Sequence, residues 1–362
     1  MKHFSQLLHN WYDQNYRELP WRSTSDPYLI WISEIILQQT RVIQGIAYYY
    51  RFIEKWPDVK DLAAASEQEV LKMWQGLGYY SRARNLLATA QIIVNRHQGI
   101  FPPSSKELMG LKGIGKYTSA AIASNAFNEK VSVVDGNVLR FVTRLQGITS
   151  PLQSNDCFKS VQQFVDEMID EESPGKFNQA MMEFGALHCT PQKPDCIHCP
   201  FSTSCYAFTH SVTDSIPVKK QKISIRTRHF NFLLFMVRHN GGEYTYLQER
   251  AEKDIWKGLH QFPLIETDQP AGFDDFNQTE AFNNIIGDNN YTLVSTSQMI
   301  RHQLTHQTLI AKFFVIKLSE KLKNNDLSLS LVSSENLGQY PLPRLIDRYL
   351  QQHGLPNLIK TK

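Results

Sequence analysis

The stretch from Leu108 to Ala120 restricts the fold of this chain more than any other. Ser104 with Glu107 three places on is a capping-box pattern, so a short helix is expected to begin there and run to about Gly110. Gly113 and Gly115 then allow a tight turn at positive φ. The small apolar run Thr118–Ala126 suits a second helix packed closely on its neighbours. Such a helix–glycine turn–helix unit aims free backbone N–H groups at whatever lies outside it, and a phosphate suits that position. Lys112, Gly113, Gly115 and Lys116 are the candidate phosphate contacts. An ordinary helix–helix turn would look the same in isolation, so the rest of the chain has to decide.

The chain has 362 residues, long enough for two domains, and its net charge is only +3. A polyanionic partner must therefore meet a local patch rather than a basic surface. No apolar run has the length of a membrane span and no signal-peptide core is visible, so a cytoplasmic protein is expected. In that compartment five cysteines argue against a disulfide framework.

Two carboxylates stand out. The stretch 28–40 is apolar on nearly all sides, as in a buried helix, yet carries Glu34 at its centre. A carboxyl there would have a raised pKa and could give up a proton near neutrality. Asp135 sits in Val134-Asp135-Gly136-Asn137, where an apolar run meets a helix start. Backbone N–H groups and the helix dipole would keep it ionised. One acid that keeps its proton and one that stays an anion is the pairing glycoside cleavage uses. Read singly, each residue also fits a plain surface glutamate or a plain N-cap. Gly76–Arg84 adds aromatics interleaved with arginines, a texture suited to a nucleic-acid strand or to a packed turn.

Cys189, Cys196, Cys199 and Cys205 are spaced C-x6-C-x2-C-x5-C in a proline-containing loop. That density means a metal site. Two C-x2-C knuckles would suit zinc, and only one is present, so the spacing favours an iron–sulfur cluster without excluding zinc. Cys157 lies apart and reads as a buried free thiol. Residues 211–228 lose periodicity and gain Lys219, Lys220, Lys222, Arg226 and Arg228, as in a basic linker. After Phe230 the pattern changes to strands, with apolar residues on both faces of 230–237.

Taken together these motifs resemble the helix-hairpin-helix DNA glycosylase superfamily, and within it the MutY-type adenine DNA glycosylases. The resemblance rests on Leu-Pro-Trp-Arg at 19–22, the segment 33–40, Gly76–Asn85, the hairpin, Val134–Val138 and the cysteine loop. It implies an α+β multidomain protein. An all-α glycosylase domain would span 1–210, with a [4Fe-4S] cluster on Cys189, Cys196, Cys199 and Cys205. A linker at 211–228 and a smaller Nudix-like α+β domain at 229–362 would follow. The implied activity is removal of adenine opposite 8-oxoguanine or guanine in double-stranded DNA, by a monomeric bacterial enzyme at the nucleoid. Glu34 would be the general acid and Asp135 the stabiliser of the sugar cation, with Tyr117 and Asn137 beside the reacting sugar. Arg22 and Gln179 would line the adenine pocket. Gln39, Leu77 and Tyr79 would fill the duplex once the base leaves, and Leu304, Thr305 and His306 would recognise 8-oxoguanine.

Endonuclease III, a near relative, carries a nucleophilic lysine where this chain has Tyr117, so little strand cleavage is expected. The alternatives are an endonuclease III-like pyrimidine-damage glycosylase/lyase and a non-catalytic iron–sulfur DNA-binding module. A Nudix hydrolase is disfavoured, because residues 264–272 lack the clustered glutamates that would bind its metal.

Overall fold

The computed structural model describes residues 2–218, 226–250, 254–323 and 328–354. Lys219, Lys220 and Lys222 of the expected linker lie outside the described residues. In chain order the helices are α1 (Lys2–Asn15), α2 (Pro27–Leu37), α3 (Val42–Lys55), α4 (Val59–Ala64), α5 (Glu67–Met73), α6 (Ser81–His97), α7 (Ser105–Leu108), α8 (Lys116–Ala126), α9 (Gly136–Gln146), α10 (Asn155–Met168), α11 (Pro174–Leu187), α12 (Tyr206–Thr209), α13 (Glu280–Ile286) and α14 (Arg344–His353). The strands are β1 (Arg226–His239), β2 (Gly242–Glu249), β3 (His260–Gln261), β4 (Leu264–Thr267), β5 (Tyr291–Thr296), β6 (Ile300–Gln303), β7 (Gln307–Leu318) and β8 (Leu329–Ser333).

The chain divides into two compact units: 1–65 with 85–222, and 66–84 with 223–362. Residues 66–84, α5 and the glycine turn after it, thus group with the C-terminal unit. No described helix is long and apolar enough to cross a membrane.

Local chemistry explains the helical unit. Asp26 caps α2, its side chain accepting from the Tyr28 N–H, and Pro27 occupies the first helical position. Eight of the eleven residues of α2 are buried, Glu34 among them. The hairpin forms as expected, with the Ser104 side chain capping α7. Gly113 takes φ 78°, where an added Cβ would also lie 2.7 Å from Asn85 Cβ. Gly115 differs from expectation. It is the N-cap of α8 in extended conformation, φ −91°, because an N-cap turns the chain into the helix from the β region. A second core gathers α1, α9, α10 and α11 around Phe141, Val161, Phe177 and Phe184. Cys157 is buried within it, as its place in the sequence suggested.

The second unit is built on one mixed sheet, ordered β3-β2-β1-β7-β5, with β4 paired to β1, β6 to β7 and β8 to β2. Long β1 runs parallel to β7. Phe230, Phe232 and Leu234 face a core closed by α14, while Leu233, Phe235 and Val237 face one closed by α13. Both faces are covered, which is why 230–237 is apolar throughout. The short strands β3, β4, β6 and β8 leave too little alternation to be seen in sequence.

Candidate active site

A cavity of about 590 Å³ opens in the helical unit, lined among others by Arg22, Glu34, Gln38, Gln39, Tyr117, Asp135, Asn137, Gln179 and Glu183. Five separate elements deliver these side chains: the 3-10 turn Pro20–Arg22, α2 with the residues just after it, the two helix starts at 116 and 136, and α11. Glu34, Asp135, Tyr117, Asn137, Arg22, Gln179 and Gln39, singled out in sequence, therefore share one space.

Glu34 is 6% exposed. Burial pushes its carboxyl up to about 7. The Tyr117 hydroxyl and, more weakly, Arg22 pull it down, while Asp135 adds to the rise. The Tyr117 hydroxyl also lies 3.3 Å from Met182 Sδ. A phenol has one proton to donate, so the two acceptors compete for it.

Asp135 caps α9. Its Oδ1 accepts from the backbone N–H of Asn137 and of Val138, both at 2.8 Å, and its Oδ2 from Asn137 Nδ2 at 2.7 Å. These donors were the reason to expect an ionised group. Burial nevertheless outweighs them, and the net push on Asp135 is upward. The expectation that the helix start alone governs its charge is thus corrected. Within the pair the proton still belongs on Glu34, because Asp135 has three N–H donors holding its negative charge and Glu34 has a single hydroxyl.

Asn137 is itself held. Arg140 Nη2 donates to its Oδ1 at 2.8 Å, which leaves the Asn137 amide nitrogen for Asp135. Arg140 Nε donates to the Cys189 carbonyl at 2.8 Å. A Cβ on Gly185 would fall 2.5 Å from the Asn137 carbonyl oxygen, so α11 can approach this helix start only with glycine there.

Glu183 and Arg17 escaped notice in sequence. Glu183 is 1% exposed and takes five N–H donors: the Arg17 backbone, Arg17 Nε and Nη2, and Arg22 Nη1 and Nη2. The available signal was weak. Glu183 lies four residues after Gln179, so the two share a helix face.

At the hairpin, Lys116 Nζ stands 5.3 Å from the Phe158 ring centroid, and the Lys112 carbonyl accepts from Thr89 Oγ1 at 2.6 Å. Gln39 is exposed at φ 58° and Tyr79 at φ 48°, strained positions for residues with side chains. Leu77 is buried.

In the second unit Leu304, Thr305 and His306 form the tight turn between β6 and β7, closed by the Leu304 N–H on the Gln307 carbonyl at 2.9 Å. They line a cavity of about 480 Å³ with Tyr79, Trp256, His302 and Arg344. The Thr305 and Tyr79 hydroxyls are hydrogen-bonded, and Leu304 packs on the sheet core.

Cys189, Cys196, Cys199 and Cys205 line one apolar cavity. Among the described residues no three His, Cys, Asp or Glu side chains are arranged to hold a metal ion. Burial raises the Cys189 and Cys196 thiols and takes Cys199 up to about 12. Arg144 Nη1 lies 3.5 Å from Cys189 Sγ.

Comparison with known proteins adds the following. Residues 32–163 match the HhH-GPD superfamily of base excision DNA repair proteins, and residues 233–352 match the NUDIX domain. Adenine DNA glycosylase of Buchnera aphidicola subsp. Acyrthosiphon pisum is 37% identical over 269 residues, covering 74% of this chain and 76% of that protein. The Arabidopsis thaliana protein of the same name is 40% identical over 304 residues. The Mus musculus one is 45% identical over 218. The chain spans about half the length of these last two, 48% and 42%. Among solved structures, a thermostable thymine-DNA glycosylase superposes with TM-score 0.54 at 30% identity, covering 58% of this chain and 96% of that one. An endonuclease III–DNA complex, TM-score 0.50 at 22% identity, shares the fold.

Proposed function

The chain belongs to the adenine DNA glycosylase family, and from that premise we propose that it excises adenine lying opposite 8-oxoguanine or guanine in double-stranded DNA. The observation that carries the reading is Glu34, a sealed carboxyl with a pKa of about 7, sharing a cavity with Asp135. The glycosidic carbon cannot be reached inside a stacked pair, so the adenosine is first turned out into the cavity. Glu34 gives its proton to N7 of the base, which makes the base a better leaving group. The bond to C1′ breaks, the electron pair leaves with adenine, and Asp135 steadies the cationic sugar until water adds. Asn137 holds Asp135 in place, and Tyr117 attends Glu34. Arg22 and Gln179 line the pocket that takes the base.

Gln39, Leu77 and Tyr79 fill the space the base vacates. Lys112, Gly113, Gly115 and Lys116 hold phosphates. Leu304, Thr305 and His306 recognise the 8-oxoguanine, Thr305 by hydrogen bonding. Residues 1–210 thus supply the chemistry and 229–362 the recognition, joined through 211–228, in a monomer acting at the bacterial nucleoid in the cytoplasm.

A [4Fe-4S] cluster is the cofactor that suits Cys189, Cys196, Cys199 and Cys205. The single C-x2-C knuckle and the compact, unequal spacing fit a cluster better than a zinc ribbon. Arg140 and Arg144 offset the thiolate charge. The cluster's contribution is to tie down the loop at 189–205.

A duplex with one adenine opposite 8-oxoguanine tests the reading. Strand breaks should appear only after alkali, because Tyr117 cannot form the Schiff base of a lyase. Breaks without alkali would favour the endonuclease III-like alternative.

A further inference from the structure

Arg22 is almost fully engaged. Its Nε donates to Gln179 Oε1 at 3.1 Å, and its Nη1 to the Arg17 carbonyl at 2.8 Å and Glu183 Oε1 at 2.9 Å. Its Nη2 donates to Glu183 Oε2 at 2.7 Å. A guanidinium has donors only, so the Gln179 amide must turn its oxygen toward Arg22. The Gln179 NH2 is left to the other side, and Gln179 lines the cavity. Left alone, a glutamine can rotate and offer either group. This one cannot while Arg22 stays put, and Arg22 stays put because a sealed carboxylate grips both its terminal nitrogens. Arg17 completes the clamp by bonding the same carboxylate through Nε, Nη2 and its backbone N–H.

We infer that Glu183 is the positioning residue of the base pocket. It locks Arg22, and the locked guanidinium fixes the Gln179 amide with its NH2 toward the base, so the wall reads a ring acceptor of the purine. The inference rests on the adenine glycosylase reading and specifies how that site selects its base. The acceptor is N1 or N3, since N7 receives the proton from Glu34. A base presenting an N–H there would meet donor against donor, and one presenting C–H would strand the amide without a partner.

The test compares wild type, Glu183→Gln, Gln179→Leu and the double variant, each with its metal centre intact. Single-turnover base release and duplex affinity are measured separately. Each single change should slow release roughly tenfold or more while affinity stays within about threefold. The double variant should be no slower than the worse single variant, since Glu183 acts through Gln179. Losses that multiply, or a Glu183→Gln enzyme as fast as wild type, would overturn the inference.

Should Glu183→Gln fail to fold, 1-deaza- and 3-deazaadenine duplexes decide with the remaining proteins. One of the two should cost wild type roughly tenfold and cost Gln179→Leu nothing. If neither costs wild type anything, the inference is wrong. A wild-type enzyme that releases no adenine from any duplex would instead remove the glycosylase reading and this inference with it.

Discussion

Glu34 on α2 and Glu183 on α11 line the same cavity, and both are almost sealed from solvent. One is pushed up to about 7 and the other down to about 2. Burial raises both. At Glu183 it is overcome by the side chains of Arg17 and Arg22 and by the Arg17 backbone N–H. At Glu34 the opposing influences are only a hydroxyl and a weaker pull from Arg22, with Asp135 pushing the same way as burial. The partners, not the depth, decide the charge of a buried carboxyl. The cavity thus has one wall that can release a proton and another that can only hold a shape.

Substitution separates the two roles. Glu34→Gln keeps the volume and removes the proton. Base release should fall about 10³-fold while duplex binding persists, and single-turnover kinetics beside a binding titration would read both. Near-normal release would place the acid elsewhere.

Glu183→Ala leaves two guanidiniums facing a void. A loss of about 3 kcal/mol in urea denaturation is expected, toward the lower end for a broken buried pair because Arg17 is partly exposed. The pH dependence should follow from the sign. Folding depresses the pKa of Glu183, so its contribution is whole above the ordinary value of 4.5 and is lost as pH falls through about 2. A variant as stable as wild type at pH 7 would show that the clamp carries no energy.

Glu34 behaves in the opposite sense. Its folded pKa lies above the ordinary 4.5, so the folded state binds the proton more tightly. That advantage is complete below 4.5 and disappears as pH rises through about 7. At pH 8 the wild-type fold carries a cost of about 3 kcal/mol for ionising this site. Glu34→Gln should therefore be the more stable protein at pH 8, by up to that amount, and gain nothing at pH 4. Equal melting temperatures at both pH values would mean that Glu34 is not desolvated.

The smallest effect is on wild-type turnover. Base release should decline tenfold for each pH unit above about 7 as Glu34 loses its proton. A rate flat to pH 9 would contradict the assignment.

Much of this was written in local order. Asp26-Pro27 starts α2, Ser104 starts α7, and an apolar helix with a glutamate at its centre announces a buried acid. The two-sided run 230–237 announces a sheet covered on both faces. These features depend on neighbours within a few positions, and such neighbours are visible in a sequence. The hairpin, the cysteine-rich loop and the strand-rich second unit are likewise properties of the chain alone. The tertiary structure decided what distance in sequence conceals. Glu183 looks like any acid on a helix until Arg17 and Arg22, 166 and 161 residues away, close on it. Asp135 looks like an ordinary capped anion until burial opposes its three N–H donors. Charge and orientation at these sites depend on which groups folding brings within a few ångströms, and no local pattern carries that information.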